Sequence, residues 1–350
     1  MAVTQILLAI YEVDFLPCSY GYRPGVSAHD AIKALSNELQ FGGDHFVVEA
    51  DIKGFFDNLQ WEWLEQMLEQ RIADGALLNL IRKWLRAGIL EEDGKVIHPQ
   101  TGTPQGGVIS PVLANIYLHY ALDLWFERVM GPQQQGRCRL IRYADDFVAC
   151  LEYRHEAEAF EKGLKERLAK FGLEVAEDKT KTLRFGHNGG PHNGRFDFLG
   201  FEFYWEPDRQ GQPRVKRRTA TKKWRATIQR MTDWVKTHRH QKLSRTLKTL
   251  KAKLRGTWNY YGLIGNYRRM QLFYNATCRT LYKSLNRRSQ RQSVTWPAFN
   301  RMLAHFQMPK PRIVEKYKLG MPCQQELSFC QRLLDFRPPG TILRAHARAS

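Results

Sequence analysis

Apolar and polar positions along the chain follow two periods, and the switches between them predict the elements. Phe46-Val47-Val48-Glu49-Ala50-Asp51 is a mostly apolar run that reads as a buried strand. The next stretch carries Trp61, Leu64, Leu68 and Ile72 at spacings of three and four, one face of a helix. Thr101 to Gly107 is a Gly/Pro loop, and Ser110-Pro111 then supplies an N-cap and a first-turn proline for a helix with Leu113, Ile116, Tyr117, Tyr120 and Leu124 inward. Arg139 to Tyr143 and Phe147 to Leu151 predict two strands joined at Ala144-Asp145-Asp146, a hairpin with apolar arms and a polar tip. Ala157, Phe160, Leu164, Leu168 and Phe171 form another amphipathic stripe, closed by Gly172 in the C′ position. Strand-like segments follow at Lys181 to Phe185 and Phe196 to Trp205.

This order predicts an α+β protein built on a ferredoxin-like split βαβ platform with an antiparallel sheet, spanning residues 1–205. The turn-rich stretch 206–214 reads as a linker. Beyond it, helical patterns run from Thr221 to His240, Lys242 to Gly256 and Tyr267 to Arg287, a small bundle over 215–290, with a Pro-punctuated basic extension over 291–350.

Charge sharpens this division. The formal net charge is +19, yet from Arg214 onward 32 Lys and Arg face four acids, leaving the preceding part net acidic. Segregation of this kind marks a polyanion-binding surface, the plainer alternative being a solvated helical face. Lys222, Lys223, Arg225, Arg230, Lys248, Lys251, Lys253 and Arg255 are the candidate contacts to such a polyanion, interleaved with Trp224, Trp234 and Trp258. Aromatic faces stack on unpaired bases, but for Trp258, with Tyr260 and Tyr261, packing of the bundle is the preferred reading.

No apolar run approaches the roughly 18 residues of a membrane span, and the first eleven residues lack the basic start of a signal peptide, so a soluble cytoplasmic protein is expected. The six cysteines form no CxxC pair or Cys/His cluster, which excludes a zinc-finger module and suits reduced thiols. His187 and His192 flank a Gly/Pro stretch and read as an exposed turn.

The candidate chemistry lies in Asp51, Asp145 and Asp146. Nucleotidyl transfer needs an activated 3′-oxygen and a neutralised leaving group, which two Mg²⁺ ions provide. Mg²⁺ asks for a few carboxylates on rigid elements. Tyr143-Ala144-Asp145-Asp146 alone is a weak signal, since an Asp-Asp turn is commonly just solvated. It gains weight from Asp51-Ile52-Lys53-Gly54-Phe55-Phe56-Asp57 and Thr103-Pro104-Gln105-Gly106-Gly107-Val108-Ile109-Ser110-Pro111, which precede it in the order found in reverse transcriptases.

With these motifs the chain resembles the reverse transcriptase/maturase encoded by bacterial group II introns. Ser19 to Gly25 resembles that family's second block, Phe171-Gly172-Leu173 through Lys181 its sixth, Phe198-Leu199-Gly200-Phe201 its seventh, and Leu254 to Gly262 its maturase, or thumb, motif. The resemblance implies a right-hand polymerase palm with partial fingers, followed by an α-helical thumb/maturase domain. It implies Asp51, Asp145 and Asp146 as ligands of two Mg²⁺ ions. Phe56, with Phe55 the adjacent candidate, would lie under the sugar of the incoming nucleotide; Gln105 would touch nucleotide or template, and Lys179 the phosphates. Tyr143 and the Phe198-Leu199-Gly200-Phe201 run would hold primer and template. Core packing for Phe56, a plain turn for Gln105, a solvated Lys179 and ordinary strand patterning for Phe198 to Phe201 are the competing readings.

Because the chain begins almost at the Ser19-to-Gly25 motif, the resemblance further implies an N-terminally truncated copy without the first fingers blocks. The expected function is RNA-directed DNA synthesis from dNTPs on an intron RNA template with a DNA primer or target, together with intron-RNA binding that assists splicing. The alternative is a catalytically inactive maturase that acts only as an RNA-binding splicing factor.

Overall fold

Four strands form one antiparallel sheet: β1 (His45–Asp51), β2 (Cys138–Tyr143), β3 (Asp146–Leu151) and β4 (Lys181–Phe185), in the spatial order β2-β3-β1-β4. β1 is interior, flanked by β3 and β4, both antiparallel to it. This is the order that a split βαβ unit produces, and it matches the α+β platform expected from the pattern. The computed structural model describes residues 1–43, 45–87, 89–90, 96–97, 100–103, 107–186, 194–287 and 294–315. Gln105, His187, His192, Cys323 and Cys330 lie outside them, as does most of the 291–350 extension.

Side chains on a strand alternate between faces, so the sheet builds two cores. Val48 and Ala50 of β1 and Ile52 just after it, with Phe147, Ala149 and Leu151 of β3, pack under helices α1 (Ala2–Tyr11), then past α2 (Ala28–Phe41) in sequence, α3 (Trp61–Glu69), α4 (Gly75–Arg86), α5 (Ser110–Leu118) and α6 (Arg154–Lys170). On the opposite face Val47, Ile141, Val148 and Cys150 meet Ala31, Ile32, Leu35 and Leu39 of α2. Asp51 and Asp146 occupy positions of this second face, at its open end.

Two details of the helices bear on the site. The α6 stripe predicted from Ala157 to Leu168 is buried, and the helix closes with a Schellman arrangement: Gly172, at φ 68°, donates to the Ala169 carbonyl, and Leu173 to that of Leu168. That reversal sends Glu174 to Ala176 back along the end of β1, where Ala176 N–H donates to the Asp51 carbonyl at 2.8 Å. In α5, Ser110 is the first helical residue, with Ile109 and not Ser110 at the cap position. The helix runs on through two π-helical segments, His119–Asp123 and Phe126–Met130. The extra residue per turn shifts the stripe, so Ala121, Leu122 and Asp123 are buried while Tyr120 and Leu124, expected inward, are half-exposed.

The stretch from Phe196 to Trp205 is not one strand. Leu199 and Gly200 both take positive φ, 49° and 78°, and turn β5 (Phe196–Phe198) into β6 (Phe201–Pro207). Phe-Leu-Gly-Phe imitates strand alternation, which hides the turn. Residues 206–214 are not a linker either: Glu206 pairs with Arg214 and Pro207 with Pro213, joining β6 to β7 (Pro213–Thr219). Asp208 accepts from the Gln210 and Gln212 amides at 2.8 and 3.0 Å, closing a hairpin turn. The same Pro, Asp and Gly residues mark turns and linkers alike, so composition alone does not separate them.

The basic part is helical, with α7 (Thr221–Thr237), α8 (Leu243–Tyr261), α9 (Tyr267–Asn286) and α10 (Trp296–His305) around a third core. α8 passes straight through Gly256, where the pattern predicted its end. Trp258 is fully buried, its indole N–H donating to the Pro309 carbonyl at 3.0 Å, which is the packing role expected for it. Among the described residues no helix is long and apolar enough to cross a membrane, and the four cysteines are free thiols.

Candidate active site

Asp51 is the last residue of β1 and stands directly opposite Asp146, the first residue of β3. Tyr143 pairs with Asp146 across the β2–β3 hairpin, so the loop is only Ala144-Asp145. Ala144 has φ 58° and Asp145 does not share the left-handed region, the pattern of a type II′ turn, which normally prefers glycine at the first position. The turn therefore presents Asp145 at the tip beside Asp51 and Asp146. Asp51, distant in sequence, is brought to Asp145 and Asp146 because β1 and β3 pair in this register.

The site is electrostatically tense. Burial pushes the Asp146 carboxyl up to about 6, partly offset by the Leu199 N–H 3.4 Å from its Oδ2. Asp145 is also raised, by burial first and then by the charge of Asp51. Glu49, two residues before Asp51 and on the same face, is pushed up to about 7 by burial, with Asp197 and Asp146 adding. Lys179 lies where the returning chain leaves it, its Nζ 2.5 Å from Asp51 Oδ2. A group of carboxylates in a poorly solvated niche favours a counter-cation, and at Asp51 the ammonium supplies that charge. The oxygen-only donor set is the chemistry of a hard divalent ion. Among the described residues, no three His, Cys, Asp or Glu side chains close into a metal-holding cluster by themselves. The fit is to an ion that takes its remaining ligands from water or substrate.

The other expected contacts divide by burial. Phe55 is 2% exposed and packs in the core, so it is not available to a nucleotide. The single helical turn Phe55–Asn58 points consecutive residues in different directions, and Phe56 is the half-exposed one. Its carbonyl accepts from Thr103 N–H at 2.8 Å, and a Cβ on Gly102 would lie 2.7 Å from that same oxygen, so the start of the Gly/Pro loop is seated on the Phe56 turn. Phe198 and Phe201 are buried inward-facing residues, which withdraws both from a direct primer contact and leaves the Leu199-Gly200 turn at the surface. Tyr143 is half-exposed, its ring 6.2 Å from that of Tyr22.

Several residues assigned no role at the site from sequence also shape it. The Gly21 backbone lies against the Ala144 turn so closely that a Cβ would stand 2.4 Å from Ala144 N. Tyr22, at φ 55° and 49% exposed, carries its ring toward Tyr143 and Asp145. Tyr260, in the thumb motif, donates its hydroxyl to the Leu199 carbonyl at 2.8 Å. Glu49 had a local signal, its i−2 spacing from Asp51 on a strand; Tyr260 had none.

On the helical bundle Lys222, Lys223, Arg225, Arg230, Lys248, Lys253 and Arg255 are exposed, and none of them forms an ion pair among the described residues. Lys223 lies close enough to Asp146 to lower its carboxyl. Lys251 is half-buried, donating to the Phe306 carbonyl at 3.3 Å, and Lys253 sits 5.2 Å over the Trp234 ring, so these two are engaged within the bundle.

Comparison with known proteins agrees with this geometry. The family described as reverse transcriptase (RNA-dependent DNA polymerase) matches residues 2–203. The chain is 29% identical to the group II intron-encoded protein LtrA of Lactococcus lactis subsp. cremoris, over 78% of this chain and 57% of that protein. It is 31% identical to the protein YkfC of Escherichia coli, over 61% of this chain and 62% of that one. A further likeness, at 28% identity over 33% of this chain and 14% of the relative, is to nuclear intron maturase 4, mitochondrial, of Arabidopsis thaliana. The chain thus spans between about half and two thirds of the length of the first two. A telomerase structure from Candida albicans aligns with a TM-score of 0.47 at 14% identity, over 87% of this chain and 53% of that one, too distant to add to the assignment. The paired aspartates on a split βαβ sheet and the family match over residues 2–203 lead to one conclusion: the chain belongs to the reverse transcriptase (RNA-dependent DNA polymerase) family.

Proposed function

We propose that this chain is an RNA-directed DNA polymerase that extends a DNA primer with dNTPs on an intron RNA template. The observation that carries the reading is the register that sets Asp51 against Asp146 with Asp145 at the adjoining turn. These three would hold two Mg²⁺ ions, which when bound would supply Lewis-acid stabilisation of the charge that develops in nucleotidyl transfer. Phe56, half-exposed beside the Gly102 loop, is positioned to floor the sugar of the incoming nucleotide, where an aromatic ring excludes a 2′-hydroxyl. Lys179, bonded to Asp51 in the free protein, is free to turn to the triphosphate once the carboxylate has another counter-charge. The Leu199-Gly200 turn offers backbone at its tip for the primer end.

The test is primer extension on an RNA template with Mg²⁺ and dNTPs. Extension that disappears in Asp145→Asn is expected; folded, RNA-binding protein that extends no primer would exclude the reading.

A second activity, assisting the splicing of intron RNA, has its own support in the exposed cations of α7 and α8, which face few acids. Replacing Lys222, Lys223, Arg225 and Arg230 by Gln should lower intron-RNA affinity and splicing together. Unchanged splicing would remove this activity and leave polymerisation standing.

A further inference from the structure

Arg142 is buried at 0% exposure, one residue before Tyr143 and outside the carboxylate group. A guanidinium has five N–H donors, and here each has an acceptor. Nε and Nη2 bind the two oxygens of Asp123, itself fully buried, at 2.7 and 2.5 Å; Nη2 also donates to Ser19 Oγ at 2.8 Å. Nη1 donates to Asn115 Oδ1 at 3.1 Å and to the Ala144 carbonyl at 3.0 Å. Asn115 passes the connection on, its Nδ2 donating to the Gly21 carbonyl at 2.6 Å. The main chain repeats the link, since Arg142 N–H donates to the Cys18 carbonyl and Tyr20 N–H to that of Arg142, both at 2.8 Å.

We propose that Arg142 is the positioning residue of the polymerase site, holding the left-handed Ala144 turn and the Gly21 segment against each other so that Asp145 and Asp146 keep the spacing a metal ion needs. Three observations converge on this. The bond to the Ala144 carbonyl falls on the one residue of the turn whose backbone is unfavourable for an L side chain. Asp123 is brought to the guanidinium by the π-helical segment His119–Asp123, a local irregularity of the kind that marks functional sites. A buried ion pair is a poor source of stability compared with apolar packing, so geometry is the better account of its presence.

The inference rests on reading Asp51, Asp145 and Asp146 as the metal-holding group, and the experiment separates the two. Arg142→Lys keeps the positive charge beside Asp123, but three ammonium donors on a flexible stem cannot serve Asp123, Ser19, Asn115 and Ala144 together. Asn115→Ser removes the acceptor of Arg142 Nη1 and the donor to the Gly21 carbonyl while leaving the Arg142–Asp123 pair in place, and guards against a lysine variant that does not fold. For wild type, both variants and Asp146→Asn, four quantities are measured: thermal unfolding, RNA affinity, Mn²⁺ affinity by the EPR signal of the free ion, and the single-turnover rate of primer extension. The expected result for both variants is folded protein with wild-type RNA affinity, several-fold weaker Mn²⁺ binding and extension slowed by up to about 10²-fold, the scale of a misplaced reacting group. A folded variant with wild-type Mn²⁺ affinity and rate overturns the inference while leaving the polymerase reading intact. Losses that only track a lowered unfolding temperature overturn it too, by making the role structural. If wild type neither extends primers nor loses Mn²⁺ affinity in Asp146→Asn, the polymerase reading fails instead.

Discussion

Replacing Tyr260 by Phe removes one oxygen, and the structure states what that oxygen does. The hydroxyl donates to the Leu199 carbonyl at 2.8 Å, and the amide of the same Leu199 faces Asp146 Oδ2. Leu199 sits at φ 49°, a conformation that costs an L residue about 1–2 kcal/mol. A neutral hydrogen bond of this kind contributes about 1 kcal/mol. The bond and the strain are therefore of one size, and without the bond the Leu199-Gly200 turn relaxes in a substantial part of the population. Packing changes little, because phenylalanine keeps the ring contacts with Phe201 and Tyr261 at 5.9 and 4.9 Å. About 1 kcal/mol is roughly five-fold in an equilibrium constant, so primer–template affinity should fall by about that factor. The extension rate should fall in parallel as the Leu199 amide leaves Asp146. Single-turnover extension with titrated primer–template on RNA reads both quantities. A phenylalanine variant indistinguishable from wild type in affinity and rate would refute the link between the thumb motif and the catalytic turn.

Three further outcomes follow from the geometry. Gly21→Ala sets a methyl 2.4 Å from the Ala144 amide nitrogen, backbone against backbone, and should abolish extension for an overpacking cost of about 1–3 kcal/mol while circular dichroism stays native. For metal-free protein, the Asp146 carboxyl titrates near 6 folded against its ordinary value of 3.8, so the fold binds the proton more tightly than the unfolded chain. Its stability contribution is lost as pH rises from about 4 to 6, and Asp146→Asn should gain on wild type over that window by on the order of 2–3 kcal/mol, read from paired melting curves. Neutralising Lys222, Lys223, Arg225 and Arg230 should flatten the salt dependence of single-stranded RNA binding by about 0.7 in log–log slope for each phosphate left without its cation; an unchanged slope in filter binding would show that these cations face elsewhere.

What the sequence could show depended on how local the cause was. The β2–β3 hairpin and the α6 stripe with its Gly172 stop are set by neighbours within a few residues, and the pattern found them. The turn at Leu199-Gly200 was missed because two phenylalanines flank it at strand spacing, and only φ shows that the chain reverses there. Phe55 and Phe56 were equal as letters; one helical turn sends them to opposite environments. Arg142 had a faint signal, a charge directly after the apolar Leu140-Ile141 pair, but its partners Ser19, Asn115 and Asp123 come from a loop and a helix. The π-helical segment that turns Asp123 inward breaks the 3.6-residue rule on which sequence periodicity depends.

The Cys18-to-Gly21 segment also covers an edge. β2 is the outermost strand on its side of the sheet, and its outward hydrogen-bonding groups at Arg142 are taken by Cys18 and Tyr20. On the other side β4 carries Lys181 and Arg184, and the Arg184 carbonyl accepts from Gly194 N–H. Unpaired strand edges recruit foreign strands, and short covering segments and edge cations are the usual protection. The loop that borders the aspartates thus also covers the β2 edge, so the segment that seats the catalytic turn closes the sheet on that side against strand addition.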